Sequence, residues 1–145
     1  MTLEDWRKST WLMEHEAKPE DIRALLAVAD RDLADSRIPG LSTDGTFSHA
    51  YNAALQAAAA ALAASGYRAA RGSHHHVIIQ SLAKTVGADA GTVGKFDRFR
   101  KKRNTAEYEM VGGVTELEAT EMVALAARLR KDIEEWIRLK HPELL

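Results

Sequence analysis

The sequence predicts an all-α fold, an antiparallel helical bundle of about five to six helices, on three observations. Alanine, the best helix former, occurs 25 times in 145 residues. Proline occurs three times, at Pro19, Pro39 and Pro142, each at a point where a helix starts or ends. Val, Ile and Thr, which favour strands, are sparse and never alternate over a useful length, so no sheet is expected.

The elements follow in order. A first helix is read from about Leu3 to Glu16, with Thr2 as N-cap and a weak apolar stripe of Trp6 and Met13. Pro19 suits the first position of a second helix. There Ile22, Leu25, Leu26, Ala29 and Leu33 recur at spacings of three and four, and Ile38-Pro39-Gly40 ends it. Ser42 to Gly45 reads as a polar loop. The third helix has the clearest stripe, Phe47, Tyr51, Ala54, Leu55, Ala58 and Leu62, closed by Gly66. Its other faces are mostly alanine, including the run Ala57 to Ala61, so neighbouring helices can come close and the helix should be central. Ser73 caps a fourth helix with Ile78, Leu82 and Val86, stopped at Gly87. A fifth starts near Asp89 to Thr92, runs to about Met110, and breaks at Gly112-Gly113. Thr115 and Glu118 form a capping box for the last helix. Its stripe is Met122, Leu125, Ala126, Leu129, Ile133, Trp136 and Ile137, and it ends before His141-Pro142. Short connections imply that successive helices are antiparallel neighbours in one domain spanning 1–145.

Composition narrows the function. The formal charge is −1, with 20 basic and 21 acidic residues, so no global bias towards nucleic acid or membranes exists. A chain of this length buries roughly two-thirds of its unfolded surface and needs no disulfide or metal to fold. There is no cysteine, which excludes disulfides, thiolate metal sites and cysteine nucleophiles. No apolar run approaches the roughly 20 residues of a membrane span, and Met1 to Asp5 does not read as a signal peptide, so a cytoplasmic location is expected. No carboxylate–histidine pair has the spacing of H-E-x-x-H, which argues against a metal-dependent hydrolase; no metal and no cofactor are expected.

The fifth helix carries the chemistry. Lys95, Arg98, Arg100, Lys101, Lys102 and Arg103 place six cations in nine residues, with Asp97 the only acid among them. Guanidinium groups bind phosphate oxygens, so this stripe suits phosphates. From charge alone, a solvated face balanced by Glu107, Glu109 and neighbouring helices is the favoured reading.

Arg103-Asn104-x-x-x-Tyr108 then carries weight. Together with Ala50-Tyr51-Asn52-Ala53-Ala54-Leu55, with Gly66-Tyr67-Arg68, with Gly72-Ser73-His74-His75-His76 and with the basic Arg100 to Asn104 helix, it resembles the HEPN (higher eukaryotes and prokaryotes nucleotide-binding) domain family over most of the chain. The resemblance implies a helical bundle that homodimerises with its motif helices facing each other. It also implies an active motif of Arg, often followed by Asn, then four to six residues ending in His. That motif serves metal-independent RNA cleavage in toxin–antitoxin and defence systems. Other members have lost it and bind partners such as a nucleotidyltransferase. No sheet is expected in such a bundle, and a sheet in the structure would remove the family assignment with it.

This chain departs from the motif. Tyr108 stands where the family has His. An imidazole titrates near about pH 6.5 and serves as base or acid, whereas a phenol titrates near about pH 10 and mainly donates a hydrogen bond. The motif as it stands offers Arg103, Asn104 and Tyr108. Arg103 and Tyr108 are five apart, roughly 140° round a regular helix, so they meet only through a curled side chain, a distorted helix or a second subunit. Otherwise Tyr108 is a core or interface aromatic. One of His74, His75 or His76 is a candidate replacement for the motif His, with His49 a further one. Three consecutive histidines diverge by about 100° per residue and cannot share one metal, so the plainer reading is one packed inward and two at the surface. Trp6, Trp11 and Trp136 read as packing residues rather than base-stacking platforms. A plain helical dimerisation module, with charges serving solubility, is the reading from a third class.

Overall fold

The computed structural model describes residues 1–71, 74–108 and 113–145, with the backbone alone at 105–108. Its elements are α1 (Leu3–Lys8), β1 (Leu12–Glu14), α2 (Pro19–Asp35), α3 (Thr43–Ala64), β2 (Tyr67–Ala69), α4 (His74–Ser81), α5 (Ala90–Tyr108), α6 (Glu116–Lys140) and a closing 3₁₀ turn (Pro142–Leu144). The chain is a helical bundle, as its alanine content predicts. Among the described residues no helix is long and apolar enough to cross a membrane.

Helix α3 is the axis. It packs along α2 on one side and α6 on another, and touches α4 and α5 as well. Ala50, Ala54, Ala57, Ala58, Ala60 and Ala61 have no exposed surface, so alanine contacts cover most of its circumference. Each neighbour contributes its periodic face: Ile22, Leu26, Ala29 and Leu33 from α2; Met122, Leu125, Ala126, Leu129, Ile133 and Ile137 from α6. Ser42 caps α3 by accepting from the Gly45 N–H at 3.0 Å. The expected polar loop Ser42–Gly45 is therefore the cap and first turn of the helix.

Three expectations change. The first helix stops at Lys8 instead of Glu16. Thr10 adopts a left-handed φ of 66°, the chain turns back, and Leu12–Glu14 becomes a strand. It pairs antiparallel with Tyr67–Ala69, Leu12 opposite Ala69 and Glu14 opposite Tyr67. The absence of sheet thus fails locally. Leu12 and Ala69 are buried while Met13 and Arg68 face out, a period of two too short to register in the sequence. Gly66 serves both elements: its φ of 94° ends α3, and its carbonyl accepts from His15 N–H at 2.9 Å. Tyr67 donates to Glu4 at 2.9 Å, tying β2 to α1; the Arg7 hydrogen bond, together with this one, holds the Glu4 carboxyl down at about 2.

Second, α4 ends at Ser81, and residues 82–86 form a turn before Gly87. Third, α6 does not pack flat on its predecessor. Its apolar stripe lies on α3, and α5 meets α6 through long side chains, Lys95–Glu121 at 3.4 Å and Lys102–Glu118 at 3.7 Å. The Thr115–Glu118 capping box is present. The Ser73 cap, the Met110 end of the fifth helix, and Gly72 and Gly112 lie outside the described residues.

The alanine axis makes a prediction. Leucine at Ala58 inserts three carbons where α2, α3 and α6 leave none, so Ala58→Leu should lower unfolding free energy by about 1–3 kcal/mol in urea denaturation. An unchanged midpoint would mean that α3 is not the tight axis of the bundle.

Candidate functional site

Helix α5 docks on α3 through aromatic edges. Phe96 meets Tyr51 at 5.7 Å between ring centroids and 81° between planes, and Phe99 meets Phe47 at 5.5 Å and 89°. Arg103 follows Phe96 and Phe99 at spacings of seven and four, which puts it on the same inward face. Its guanidinium carbon lies 5.0 Å from the centroid of the Tyr51 ring, in cation–π range.

Tyr51 is 1% exposed and holds a second group. Its hydroxyl is hydrogen-bonded to Nδ1 of His75, at the start of α4, over 3.1 Å. Arg103 and His75 thus converge on one buried phenol from two helices. If Tyr51 donates, the neutral His75 ring carries its proton on Nε2.

His76 has its own partner. Its Nδ1 lies 3.1 Å from Asp97 Oδ1. A carboxylate only accepts, so Nδ1 donates, and in the neutral ring Nε2 keeps its lone pair. The Arg100 Nε–H donates to the same oxygen at 2.8 Å, and Lys101 Nζ lies 3.7 Å from Oδ2. Burial opposes ionisation of Asp97, but the hydrogen bonds from Arg100 and His76 outweigh it and hold the carboxyl below its usual range. The consecutive histidines therefore serve different neighbours: His75 is half-buried on Tyr51, while His76 on Asp97 and His74, 5.8 Å from the His75 ring, are exposed. That is one inward and two outward.

The predicted residues divide accordingly. Arg103 is at the site, and His75 is with it. Asn104 is exposed on α5. Tyr108 is on the α5 backbone, but its side chain lies outside the described residues, as do those of Glu107 and Glu109. Of the cationic stripe, Arg100 and Lys101 pair with Asp97, Lys95 with Glu121 and Lys102 with Glu118, while Arg98 is exposed with no ion pair among the described residues. His49 lies away from this cluster, 4.0 Å from Asp32 of α2. Trp6 is buried and Trp136 half-buried, as packing residues are. Trp11 is 48% exposed and, with Trp6, His76, Val77 and Gln80, lines a hollow of about 450 Å³.

Two members were hidden from the sequence. In the sequence Tyr51 reads as core, and Asp97 only as an interruption of the charge run. The available signal is the one hydroxyl in a stripe otherwise of phenylalanine, alanine and leucine, since a buried tyrosine hydroxyl requires a partner. Comparison with known proteins yields no matching family model, no matching curated protein and no matching solved structure.

The depressed Asp97 pKa sets a sign. A carboxyl whose folded pKa lies below its unfolded value adds stability above the unfolded value, near pH 3.8, and that stability is lost as pH falls towards the folded one. Asp97→Asn should cost about 1–2 kcal/mol at pH 7 and flatten the acid limb below about pH 4 in thermal melts. An unaltered acid limb would mean that Asp97 is not held ionised by Arg100 and His76.

Proposed function

We propose that this chain engages RNA through phosphate groups, as a HEPN-like domain of a toxin–antitoxin or defence system, with weak metal-independent cleavage centred on Arg103 and His75. The observation carrying this reading is the convergence of the Arg103 guanidinium and the His75 imidazole on Tyr51. His75 takes the place of the imidazole that the resemblance puts at position 108. In such a cleavage the 2′-oxygen attacks phosphorus and the bond to the 5′-oxygen breaks, leaving a cyclic phosphate and a 5′-hydroxyl. The proton leaving the 2′-hydroxyl passes to an imidazole, and one returns to the 5′-oxygen from the same ring or from His76. Arg103 neutralises the charge gathering on the phosphate oxygens. The exposed face of Trp11, beside His76, suits a neighbouring base.

The β1–β2 pair counts against the family resemblance, so the side-chain cluster has to carry this reading. A second reading is favoured by the ion pairs of the stripe. Among the described residues at least four of its six cations already face carboxylates, which suits an inert domain whose surface meets a protein partner such as a nucleotidyltransferase.

The expected homodimer loses one of its supports. The small-residue faces of α3 are filled by α2 and α6 of the same chain, so dimerisation now rests on the resemblance alone. Sedimentation at micromolar concentration is expected to give about twice the 16.0 kDa chain mass; a monomer throughout would rule out a cleft shared between subunits.

Affinity for single-stranded RNA should fall steeply with salt as counterions are released, and Arg103→Ala and Arg100→Ala should each weaken it. In chelator, any wild-type cleavage should drop about 100- to 10,000-fold in His75→Gln. Tyr108→His should raise cleavage, and Arg103→Ala should abolish it. Salt-independent binding that survives both arginine changes, with no gain in Tyr108→His, would overturn the RNA reading in favour of the protein-partner one.

A further inference from the structure

On the opposite side of α3 from Tyr51, a second group of side chains converges. Asp32 and Asp35 are three apart on α2, and His49 and Asn52 are three apart on α3, so each pair shares one helix face. One donor atom each from Asp32, Asp35 and His49 lies within 4.8 Å of the others. Facing i, i+3 pairs on adjacent helices are how helical bundles build metal sites in their interiors.

Asp32 is the decisive residue. Its side chain is 6% exposed, in the seam between two helices. A buried carboxylate is costly unless cations or several donors compensate it. Asn52 Nδ2 donates to Oδ2. Oδ1 is left to the highly exposed Arg31, 3.4 Å away, and to His49 Nδ1 at 4.0 Å. The Asp35 carboxylate makes no ion pair among the described residues. Two carboxylates and a neutral imidazole carry two negative charges, the complement of a divalent ion. Donors round a tetrahedral ion lie about 3.3 Å apart, so the three groups need close by only about 1.5 Å, within reach of side-chain rotation.

We infer that Asp32, Asp35 and His49 form a binding site for a divalent transition-metal ion of the zinc class, bridging α2 and α3 with a fourth position open to water. The imidazole selects this class over magnesium and calcium, which take oxygen ligands. The site is independent of the Arg103 cluster, and its ligand set escapes a reading of linear motifs because it is split over two helices with the Pro39-Gly40 turn between them.

The test uses the full chain and Zn²⁺ itself. Equilibrium dialysis should give one equivalent bound. His49→Gln and Asp35→Asn, both at partly exposed positions, should each weaken binding by at least about tenfold, while His74→Gln/His75→Gln/His76→Gln leaves it unchanged. In the wild type, added Zn²⁺ should shift the ring resonances of His49 and not those of His74, His75 or His76, a readout that needs no variant to fold. No saturable binding would overturn the site. So would retention of full affinity in His49→Gln and Asp35→Asn, or loss of affinity in the triple histidine variant, which would move the metal to α4. Magnesium competing at equal concentration would overturn the assigned class.

Discussion

The close packing of α3 on both α2 and α6 is the constraint on which the rest of the molecule depends. Alanine makes it feasible. With only a methyl group at most buried positions, the helix can be approached from several sides without large voids or overlap. The same economy makes its few larger or polar residues conspicuous. Phe47 and Tyr51 anchor the aromatic edges of α5. His49 and Asn52 face Asp32 across the α2 seam. Positions 49 and 51 differ by about 200° round the helix, so one rigid element holds two separate chemical groupings on opposite sides.

The long helices were legible because their periodicity persists for many residues. Ile22 to Leu33 and Met122 to Ile137 each repeat an apolar face at helical spacing, and both faces lie on α3. The capping residues Thr2 and Thr115 could be read because a side-chain oxygen ahead of a helix has a local partner. The strand pair could not. Leu12–Glu14 and Tyr67–Ala69 hold three residues each, and what makes them strands is the pairing of segments more than fifty residues apart. Nothing near Leu12 in the chain announces Ala69. Likewise the polar stretch Ser42–Gly45 reads as loop until the whole α3 packing draws it into the helix.

Half of the site is legible in the sequence. Arg103 was found from its motif and the charge run around it, both properties of linear sequence. Its partner was not, because Tyr51 lies in another helix and its stripe explained it fully as core. The charge run itself reads differently in three dimensions. Asp97 gathers Arg100, Lys101 and His76, and α6 supplies Glu118 and Glu121 to Lys102 and Lys95. Among the described residues, four of these six cations thereby enter local ion pairs, and Arg98 enters none. Ion pairs of this sort at partly exposed positions contribute little stability individually. Their effect is to orient α5 so that Phe96, Phe99 and Arg103 face α3.

Tyr51 brings His75 and Arg103 together. A double-mutant cycle on unfolding free energy with Tyr51→Phe and His75→Gln addresses the hydroxyl–imidazole link directly, because phenylalanine keeps the ring under Arg103 and removes only the hydroxyl. A coupling of about 1 kcal/mol is predicted between the two changes. Strict additivity, within about 0.3 kcal/mol, would contradict the link and with it the convergence on which the site is built.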